Sequence, residues 1–275
     1  MGLTTNWYNN FSRVLSERHI ASELTCKDSL ILLMLPAYNV VINCIPITND
    51  LTPEKVLSVQ NEFWDKGLQF INLWEDVWHS RQIQVLNRIN SIAGKNTRIH
   101  GRKTSVVSLD KHQADEFLSA FHIQGPALAR YKLGLVHETE LVAVATFSGT
   151  RLMRQKAEGY RSAELIRFAT KPGYTVAGGL TKLIKHFAAT VKTNDIMSYA
   201  DRDWSMGKGY KSAGFTFHSL IPPSELWLDT RSNKRYFKHR LPKVSCRADG
   251  DSEVEADFQF VKIFNTGNLK YILYL

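Results

Sequence analysis

The sequence contains little cysteine, and what there is forms no recognisable pattern. Its three cysteines, Cys26, Cys44 and Cys246, are far apart, and none belongs to a C-x-x-C pair. Disulfide frameworks use an even set of cysteines, and structural zinc sites usually contain closely spaced cysteine pairs. We therefore expect neither kind of site, and we expect a reducing, cytoplasmic compartment.

Long apolar runs are also missing. The longest, Leu30 to Leu35, is far too short to cross a bilayer, and residues 1 to 25 lack the apolar centre of a signal peptide. The sequence shows no basic amphipathic helix and no lipidation motif. It therefore predicts a protein without a membrane partner.

Acidic residues are scarcer than basic ones. The sequence has 26 Asp and Glu against 35 Lys and Arg, which gives a formal net charge of +9. A basic surface attracts polyanions, because its cations displace the counterions that surround a phosphate backbone. Nucleic acid is the favoured partner, and a merely soluble basic protein is the alternative.

The rest of the composition is that of an ordinary folded protein. Hydrophobic residues make up 44% and charged residues 22% of the 275 positions. A chain of this length exceeds the commonest domain size, so two domains are expected. We predict the fold class α/β (α+β), with a small α/β domain over residues 1–97 and a larger mixed-sheet domain over 98–275.

The first hundred residues supply the signals of the smaller domain. Leu30 to Leu35 and Val40 to Ile45 are apolar runs that predict a β-hairpin. Thr52 followed by Pro53 predicts the start of a helix that continues to about Asp65. A strand over Leu68 to Trp74 and a helix over Asp76 to Ala93 should follow.

The larger domain is organised around Ser162 to Phe217. A predicted strand, Ala163 to Thr170, leads into a glycine-containing loop and then an amphipathic helix beginning near Leu180. Asp195 to Asp201 predicts a second strand, and the helix can serve as the crossover that a parallel pair requires. A short helix over Met206 to Ala213 and a strand from Phe215 should complete the order.

The glycine loop is a candidate phosphate site. The first N–H groups of a helix lack intrahelical partners, and the helix dipole is positive at that end. A plain turn is the alternative. The candidate cofactor-binding residues are Gly173, Gly178, Gly179, Leu180 and Thr181.

This order of elements, closed by Tyr210 and the exit Gly214-Phe215, resembles the acyl-CoA-binding half of the GNAT acetyltransferase fold. Within it, Glu164-Leu165-x-Arg167 and Ser198-Tyr199-Ala200-Asp201 resemble the Mom-type phage proteins that modify adenine in DNA. The resemblance covers about Arg98 to Pro242. The loop departs from the usual GNAT spacing Arg/Gln-x-x-Gly-x-Gly/Ala.

The resemblance implies a GNAT-like transferase in a phage-infected or mobile-element-bearing cell. Acetyl-CoA or a related acyl donor would be its cofactor. Duplex DNA would be its partner, with an adenine extruded so that an acetamido-type group can be placed on its exocyclic nitrogen.

The resemblance also implies a catalytic set near the carboxyl end of the second parallel strand, where ligands gather in open α/β sheets. Asp201 would take a proton from an amine or position a base nitrogen, and Arg167 would hold a carboxylate or phosphate. Tyr199 or Tyr210 would act as an acid; His122 is a further candidate, with a helix-end role as its alternative. The complete set is Asp201, Arg167, Ser198, Tyr199, Tyr210 and His122.

The smaller domain carries a second resemblance. Residues 70–78 and 98–103 resemble the Vsr-like endonuclease part of phage and mobile-element proteins. Metal-dependent nucleases of that kind need clustered carboxylates, yet no Asp or Glu lies between Asp28 and Asp50. We predict a degenerate domain that does not cleave DNA. Nuclease activity stays open as the alternative because of Glu75 and Asp76, and the sequence leaves open whether a metal takes part.

A basic stretch follows the centre of the larger domain and mixes cations with aromatic residues, which suits phosphates and exposed bases. A solvated face is the alternative. The candidate nucleic-acid-binding residues are Arg231, Lys234, Arg235, Tyr236, Lys238, Arg240 and Lys243. After this extension, Asp257 to Ile263 and Leu269 to Leu275 predict a closing hairpin.

Two functions remain open at this point. The first is a GNAT-like transferase that acts on a nucleic-acid base. The second is a DNA-binding or homing-endonuclease-like protein in which the GNAT-like domain docks DNA without transferring a group.

Overall fold

The computed structural model describes residues 6–242 and 260–275. The helices are α1 Trp7–Glu17, α2 Pro53–Asp65, α3 Glu75–Ile92, α4 Lys111–Phe121, α5 Gly179–Thr190 and α6 Lys208–Ser212. The strands are β1 Glu23–Lys27, β2 Leu30–Leu35, β3 Val40–Ile45, β4 Gln69–Trp74, β5 Thr97–His100, β6 Ser105–Ser108, β7 Tyr131–His137, β8 Glu140–Phe147, β9 Arg151–Leu152, β10 Arg161–Thr170, β11 Tyr174–Ala177, β12 Asp195–Asp201, β13 Thr216–Ile221, β14 Ser224–Asp229, β15 Lys234–Tyr236, β16 Phe260–Asn265 and β17 Asn268–Tyr274.

The chain forms two compact units that interleave along the sequence. Unit 1 comprises Met1–Ser80, Arg202–Trp204 and Pro222–Gly267, and unit 2 comprises Arg81–Asp201, Ser205–Ile221 and Asn268–Leu275. The predicted division at residues 97 and 98 therefore differs from the observed one. The first crossing lies inside α3, where Arg81 has the non-helical angles φ −137° and ψ 32°.

Unit 1 contains a four-stranded sheet in the order β1-β2-β3-β4. The predicted hairpin is β2 and β3, and β3 pairs with β4 in parallel, with α2 as the crossover. Thr52 caps α2 as expected, because its side-chain oxygen accepts a hydrogen bond from the Lys55 N–H. The buried cluster in this part of the unit consists of Leu30, Leu32, Val41, Val59 and Phe70.

A three-stranded sheet, in the order β15-β14-β16, explains why a late segment belongs to unit 1. Leu226 and Leu228 of β14 and Ile263 of β16 share a buried cluster with Ile45 and Trp74. The predicted closing hairpin is wrong, because β16 pairs with β14 whereas β17 pairs with β12 and β13. Residues 257–259 of that prediction lie outside the described residues.

Unit 2 is built on a mixed sheet in the order β13-β17-β12-β10-β8-β7-β6, with β9 paired to β10. β10 and β12 are parallel, and α5 connects them as predicted. The sequence β10, α5, β12, α6, β13 is the predicted order of strand, helix, strand, short helix and strand. The expected fold class, α/β (α+β) with a mixed sheet in the larger domain, is confirmed.

Helices cover both faces of this sheet. On one face, Phe117 and Leu118 of α4 share a buried cluster with Val144 of β8. On the other, the ring of Phe187 in α5 stacks on Phe147 of β8 with 4.2 Å between centroids. The sheet is therefore buried on both sides near its centre.

The predicted glycine loop contains a short β-strand that its amino-acid composition does not predict. Residues 174–177 form β11, which pairs in parallel with β5. Close approach of the two segments depends on Gly101, where a Cβ would lie 3.2 Å from the carbonyl oxygen of Ala177. The predicted loop is thus interrupted by a short strand. The following short helix, α6, covers fewer residues than the predicted Met206 to Ala213.

None of the helices within residues 6–242 and 260–275 combines the length and the hydropathy that crossing a bilayer requires.

Candidate functional site

The central sheet of unit 2 opens between its two parallel strands. β10 and β12 pair only from Ser162 opposite Asp195 to Glu164 opposite Met197. Immediately afterwards the register of β10 against β8 shifts, which marks a bulge at Ile166. Polar side chains collect at the opening that results.

Asp201 ends β12 beside this opening. Its Oδ2 accepts a hydrogen bond of 2.7 Å from Nε2 of Gln124, which lies just after α4. Its negative charge also acts on the guanidinium groups of Arg88 and Arg167. The carboxylate is therefore oriented by an amide and attracted by two cations.

Arg167 lies on β10, and the loop after α4 fixes its position. Nε donates to the carbonyl of Gly125 at 3.1 Å, and Nη1 donates to the carbonyl of Ile166 at 2.9 Å. Burial lowers the pKa of Arg167, whereas its interactions with Tyr210 and with the carboxylates of Glu164 and Asp201 raise it. A guanidinium remains charged in proteins, so the opening keeps a fixed positive group.

His122 lies among arginines at the end of α4. Burial lowers its pKa to about 3, and the charges of Arg167, Arg88 and Arg81 act in the same direction. Nδ1 accepts a hydrogen bond of 3.1 Å from the Gln124 N–H, so Nε2 must carry the proton of the neutral ring. At neutral pH the imidazole can donate a hydrogen bond through Nε2, but it is a poor base.

Ser198 and Tyr210 form a second part of the cluster. The Ser198 hydroxyl lies 2.8 Å from the carbonyl of Leu165 and 3.1 Å from Oη of Tyr210. A carbonyl has no proton to give, so it accepts from Ser198 and the Tyr210 hydroxyl supplies the proton of the other bond. The Tyr210 ring stacks on Tyr271 with centroids 5.3 Å apart. Burial raises the pKa of Tyr210, which keeps the phenol protonated at neutral pH.

Tyr199 points to the opposite face of β12 from Ser198, because side chains alternate along a strand. Its side chain is 37% exposed. Burial and the nearby Glu164 raise its pKa, and Arg151 opposes them. The structure thus places Tyr199 beside Glu164 and away from the contact between Ser198 and Tyr210.

Three side chains of the site were not among the predicted site residues. They are Arg88 of α3, Gln124 after α4 and Glu164 of β10. The spacing of Arg81, Gln84 and Arg88 along α3 is a polar stripe at helical intervals that could have identified the first. Gln124 carries no local signal of this kind, because its role arises where distant elements meet. Glu164 belongs to the motif Glu164-Leu165-x-Arg167, but the motif alone assigned it no role.

The predicted cofactor residues divide into two places. The carbonyl of Gly173 accepts a hydrogen bond from the Thr97 N–H at 2.7 Å and so belongs to the junction of β11 and β5. Gly178, at φ 73°, is the N-cap of α5. A Cβ on Gly179 would come within 2.8 Å of the Val176 side chain, so the helix starts where only glycine fits. Leu180 and Thr181 occupy the first turn.

The basic stretch of unit 1 is partly used inside the fold. Arg235 makes two hydrogen bonds, of 2.7 and 2.6 Å, to the carboxylate of Asp76, which is 2% exposed. Tyr236 packs edge-to-face on Phe260 at 6.2 Å. Within residues 231–242 of the basic stretch, the exposed cations are Arg231, Lys234, Lys238 and Arg240. Lys243 lies outside the described residues.

The two carboxylates that kept nuclease activity open also have structural partners. Glu75 is 4% exposed, and its Oε2 accepts a hydrogen bond of 3.0 Å from the Ile47 N–H. Asp76 holds Arg235. Within residues 6–242 and 260–275, no group of three or more His, Cys, Asp or Glu side chains is placed to hold a metal ion.

The net positive charge of the chain resides in unit 2. Its segments contain 21 Lys and Arg against 9 Asp and Glu, a formal net charge of +12. Unit 1 contains 14 Lys and Arg against 17 Asp and Glu, a formal net charge of −3. The polyanion attraction expected from the sequence therefore points to the unit that holds the polar cluster.

No family model matches the sequence, and no curated protein matches it significantly. Among solved structures, an acetyltransferase from Bacillus subtilis in complex with CoA is similar at 14% identity and TM-score 0.35, over 63% of this chain and 99% of that one. A GNAT family acetyltransferase from Elizabethkingia anophelis with acetyl-CoA bound is similar at 10% identity and TM-score 0.37, over 63% and 99%. The ribosomal-protein-S18-alanine N-acetyltransferase from Escherichia coli is similar at 12% identity and TM-score 0.34, over 62% and 93%. These identities and TM-scores are low, and they carry no activity over to this chain.

Proposed function

We propose that the protein is a GNAT-like transferase that places an acyl-type group on an amino nitrogen of a nucleic-acid base, as Mom-type proteins do. The observation that carries this proposal is the polar cluster at the opening between β10 and β12. One oriented carboxylate, Asp201, lies there with the cations of Arg88 and Arg167. The protonated phenol of Tyr210 borders the same opening.

Each group has a role that its surroundings support. An amine that attacks an acyl carbon must lose a proton, and the carboxylate of Asp201 is the acceptor. The leaving group must gain one, and the hydroxyl of Tyr210 holds a proton for it. Arg167 and the Nε2–H of His122 can hydrogen-bond the oxygen on which negative charge develops. Gln124 keeps the Asp201 carboxylate in one orientation.

Acetyl-CoA or a related acyl donor would supply the activated acyl group. The N-terminal turn of α5 suits its phosphates, since the backbone N–H groups of Gly179, Leu180 and Thr181 have no partner within the helix. Gly179 allows the start of the helix to pack closely, because a Cβ there would meet the side chains of Val176 and Leu135.

Nucleic acid as the acceptor is supported by the distribution of charge. The formal charge of +12 belongs to the same unit as the cluster, so a polyanion would be drawn toward the unit that can modify it. A base in a duplex must leave its stack to reach such a cluster, at a cost of a few kcal/mol.

The test is the Asp201→Asn variant. The change preserves the size of the side chain and removes its charge, so it should abolish modification while the protein stays folded and still binds DNA. DNA from cells that express the wild type should yield a modified nucleoside by mass spectrometry of digests, and DNA from cells that express the variant should not. Asp115→Asn removes a carboxylate of α4 that pairs with Lys111 of the same helix; it is the matched control and should leave the modified nucleoside in place. Identical nucleosides with no new peak in any of the three samples would contradict the proposal.

The second candidate is a DNA-binding protein without transferase activity, which the charge of unit 2 favours by itself. Thermal-shift titrations separate the two, because a ligand that binds the folded state raises its unfolding temperature. The transferase should respond to acetyl-CoA and to duplex DNA, whereas a docking module should respond to DNA alone.

A further inference from the structure

A concave site lies in unit 2, and two of its lining residues, Glu164 and Ile166, precede Arg167 of the polar cluster on β10. It is a cleft of about 540 Å³ bordered by the loop before β7, the end of β8, β9 and β10. The residues that line it are Leu128, Ala129, Arg130, Ser148, Arg151, Glu164 and Ile166, together with Gly149. None of them was a predicted site residue.

Glu164 is the acidic group of the cleft, and its backbone is fixed from two sides. The Glu164 N–H donates to Oγ of Ser148 at 2.9 Å, and the Ser148 N–H donates to the Glu164 carbonyl at 2.9 Å. Burial raises the pKa of Glu164, and the charges of Arg151 and Arg167 oppose that shift. The cleft therefore presents a carboxyl group in partly desolvated surroundings, on a backbone that two hydrogen bonds hold in place.

The rest of the lining includes aliphatic surface, and Tyr199 lies near two of the charged lining residues. Leu128, at 93% exposure, and Ile166 supply aliphatic surface. Tyr199 lies close enough for its hydroxyl to respond to both Glu164 and Arg151. An exposed tyrosine at the edge of such a cleft offers a face on which a planar ring can stack.

Arg130 and Arg151 place two exposed cations on the lining of the cleft. A simple anion would be repelled by Glu164, and a simple amine would be repelled by the two arginines. A ligand that carries an amino group on a flat ring and phosphates on either side satisfies all three charges. That description fits a nucleotide within a strand.

We infer that this cleft binds a nucleobase that carries an exocyclic amino group, with Glu164 accepting from the amino group, Tyr199 stacking on the ring, and Arg130 and Arg151 contacting the flanking phosphates. The inference rests on the proposed function and names the place where its acceptor base is held. Tyr199 is then a binding residue rather than the acid that the sequence motif implied. Thymine, which has no amino group, should be held less well than adenine.

The test measures binding and does not depend on transfer. Fluorescence anisotropy compares the full chain on labelled single strands of about 12 nucleotides: oligo-dA, oligo-dT and an abasic strand of the same length. The wild type should bind oligo-dA about tenfold more tightly than the abasic strand, because the abasic strand can make neither the stacking contact nor the base-edge contact. It should also prefer oligo-dA to oligo-dT.

Glu164→Ala should remove the preference for oligo-dA over oligo-dT, and Glu164→Gln, which keeps a carbonyl acceptor, should retain part of it. Glu158→Ala is the matched control: it removes the same charge from an exposed position of unit 2 and should leave the preference unchanged. Because Leu128 is almost fully exposed, Leu128→Ala will not disturb folding. It should weaken oligo-dA binding while abasic binding stays constant.

Tyr199 distinguishes stacking from acid catalysis. Tyr199→Phe keeps the ring and should preserve oligo-dA binding, whereas Tyr199→Ala should weaken it by about tenfold. Equal affinity of the wild type for oligo-dA and the abasic strand would overturn the inference. So would a Leu128→Ala variant with an unchanged preference, or displacement of oligo-dA from this cleft by acetyl-CoA alone. Base-selective binding by a protein that modifies no DNA would uphold the inference and count against the proposed function.

Discussion

The two units use their carboxylates differently. In unit 1, Glu75 and Asp76 are nearly inaccessible to solvent, and each is engaged by a specific structural donor. In unit 2, Asp201 and Glu164 are only partly buried, and both lie near arginines; Glu164 also lines a cleft. The comparison indicates that a carboxylate is accessible to a ligand where the fold leaves it partly exposed near cationic side chains.

The two units also differ in net charge. Unit 1 has a formal net charge of −3 and unit 2 of +12, although the most conspicuous basic stretch of the sequence belongs to unit 1. That stretch is followed in the sequence by five acidic residues between positions 249 and 257. The local density of basic residues in the sequence therefore points to unit 1 as the site of polyanion binding, whereas the net charge of each unit points to unit 2.

The largest effect that tests this comparison is expected at Asp76. Asp76→Ala leaves Arg235 without its partner in a buried pair, which should cost about 3 kcal/mol of unfolding free energy, the lower end of the usual range, because Arg235 keeps some solvent contact. Urea unfolding of the full chain measures the change. Glu62→Ala, which breaks the exposed pair with Lys27, is the control and should shift the midpoint very little. A comparable loss of stability in Asp201→Ala would remove the distinction between the units.

Local patterns were sufficient to predict the centre of unit 2. Apolar periodicity and flanking glycines predicted β10, α5 and β12 in order. Each of these features depends on residues a few positions apart. Short-range preferences for helix or strand therefore determine both the sequence pattern and the observed element.

The interleaving of the units could not be predicted in this way. The pair Asp76–Arg235 joins residues 159 positions apart, and Gln60 donates to the carbonyl of Arg202 across 142 positions. Such contacts depend on which elements become neighbours, and periodicity carries no information about that. The unpredicted residues of the candidate site, such as Gln124 and Glu164, depend on tertiary neighbours in the same way.

A smaller effect should distinguish two sets of exposed cations as DNA-binding surfaces, one in unit 2 at Arg151 and Arg154 and one in the basic stretch of unit 1. Arg151→Ala with Arg154→Ala in unit 2 should weaken binding to duplex DNA about tenfold at low salt and reduce the slope of log K against log salt by about 1.8. Lys234→Ala with Lys238→Ala in unit 1 removes the same charge from exposed positions and should change both quantities much less. Anisotropy titrations over a range of salt concentrations provide both. The opposite ranking would return DNA binding to the basic stretch after β14.

The smallest effect is expected from the pH dependence that His122 confers on unit 2. The folded pKa is about 3, well below the ordinary value near 6.5, so between these values the unfolded chain binds a proton that the folded protein does not. Stability from this group should therefore be complete above about pH 6.5 and decline as the pH falls toward 3. His122→Gln keeps an oxygen that can accept from the Gln124 N–H but cannot titrate.

The variant should lose less stability than the wild type between pH 7.5 and pH 5, by about 1 kcal/mol, a value reduced from the full linkage because the imidazole keeps some solvent contact. Urea midpoints at the two pH values measure this difference. His112→Gln, on the exposed side of α4, should leave the wild-type dependence intact. If His122→Gln is as acid-sensitive as the wild type, burial and the neighbouring arginines do not hold this imidazole neutral, and a role for His122 as a general base becomes open again.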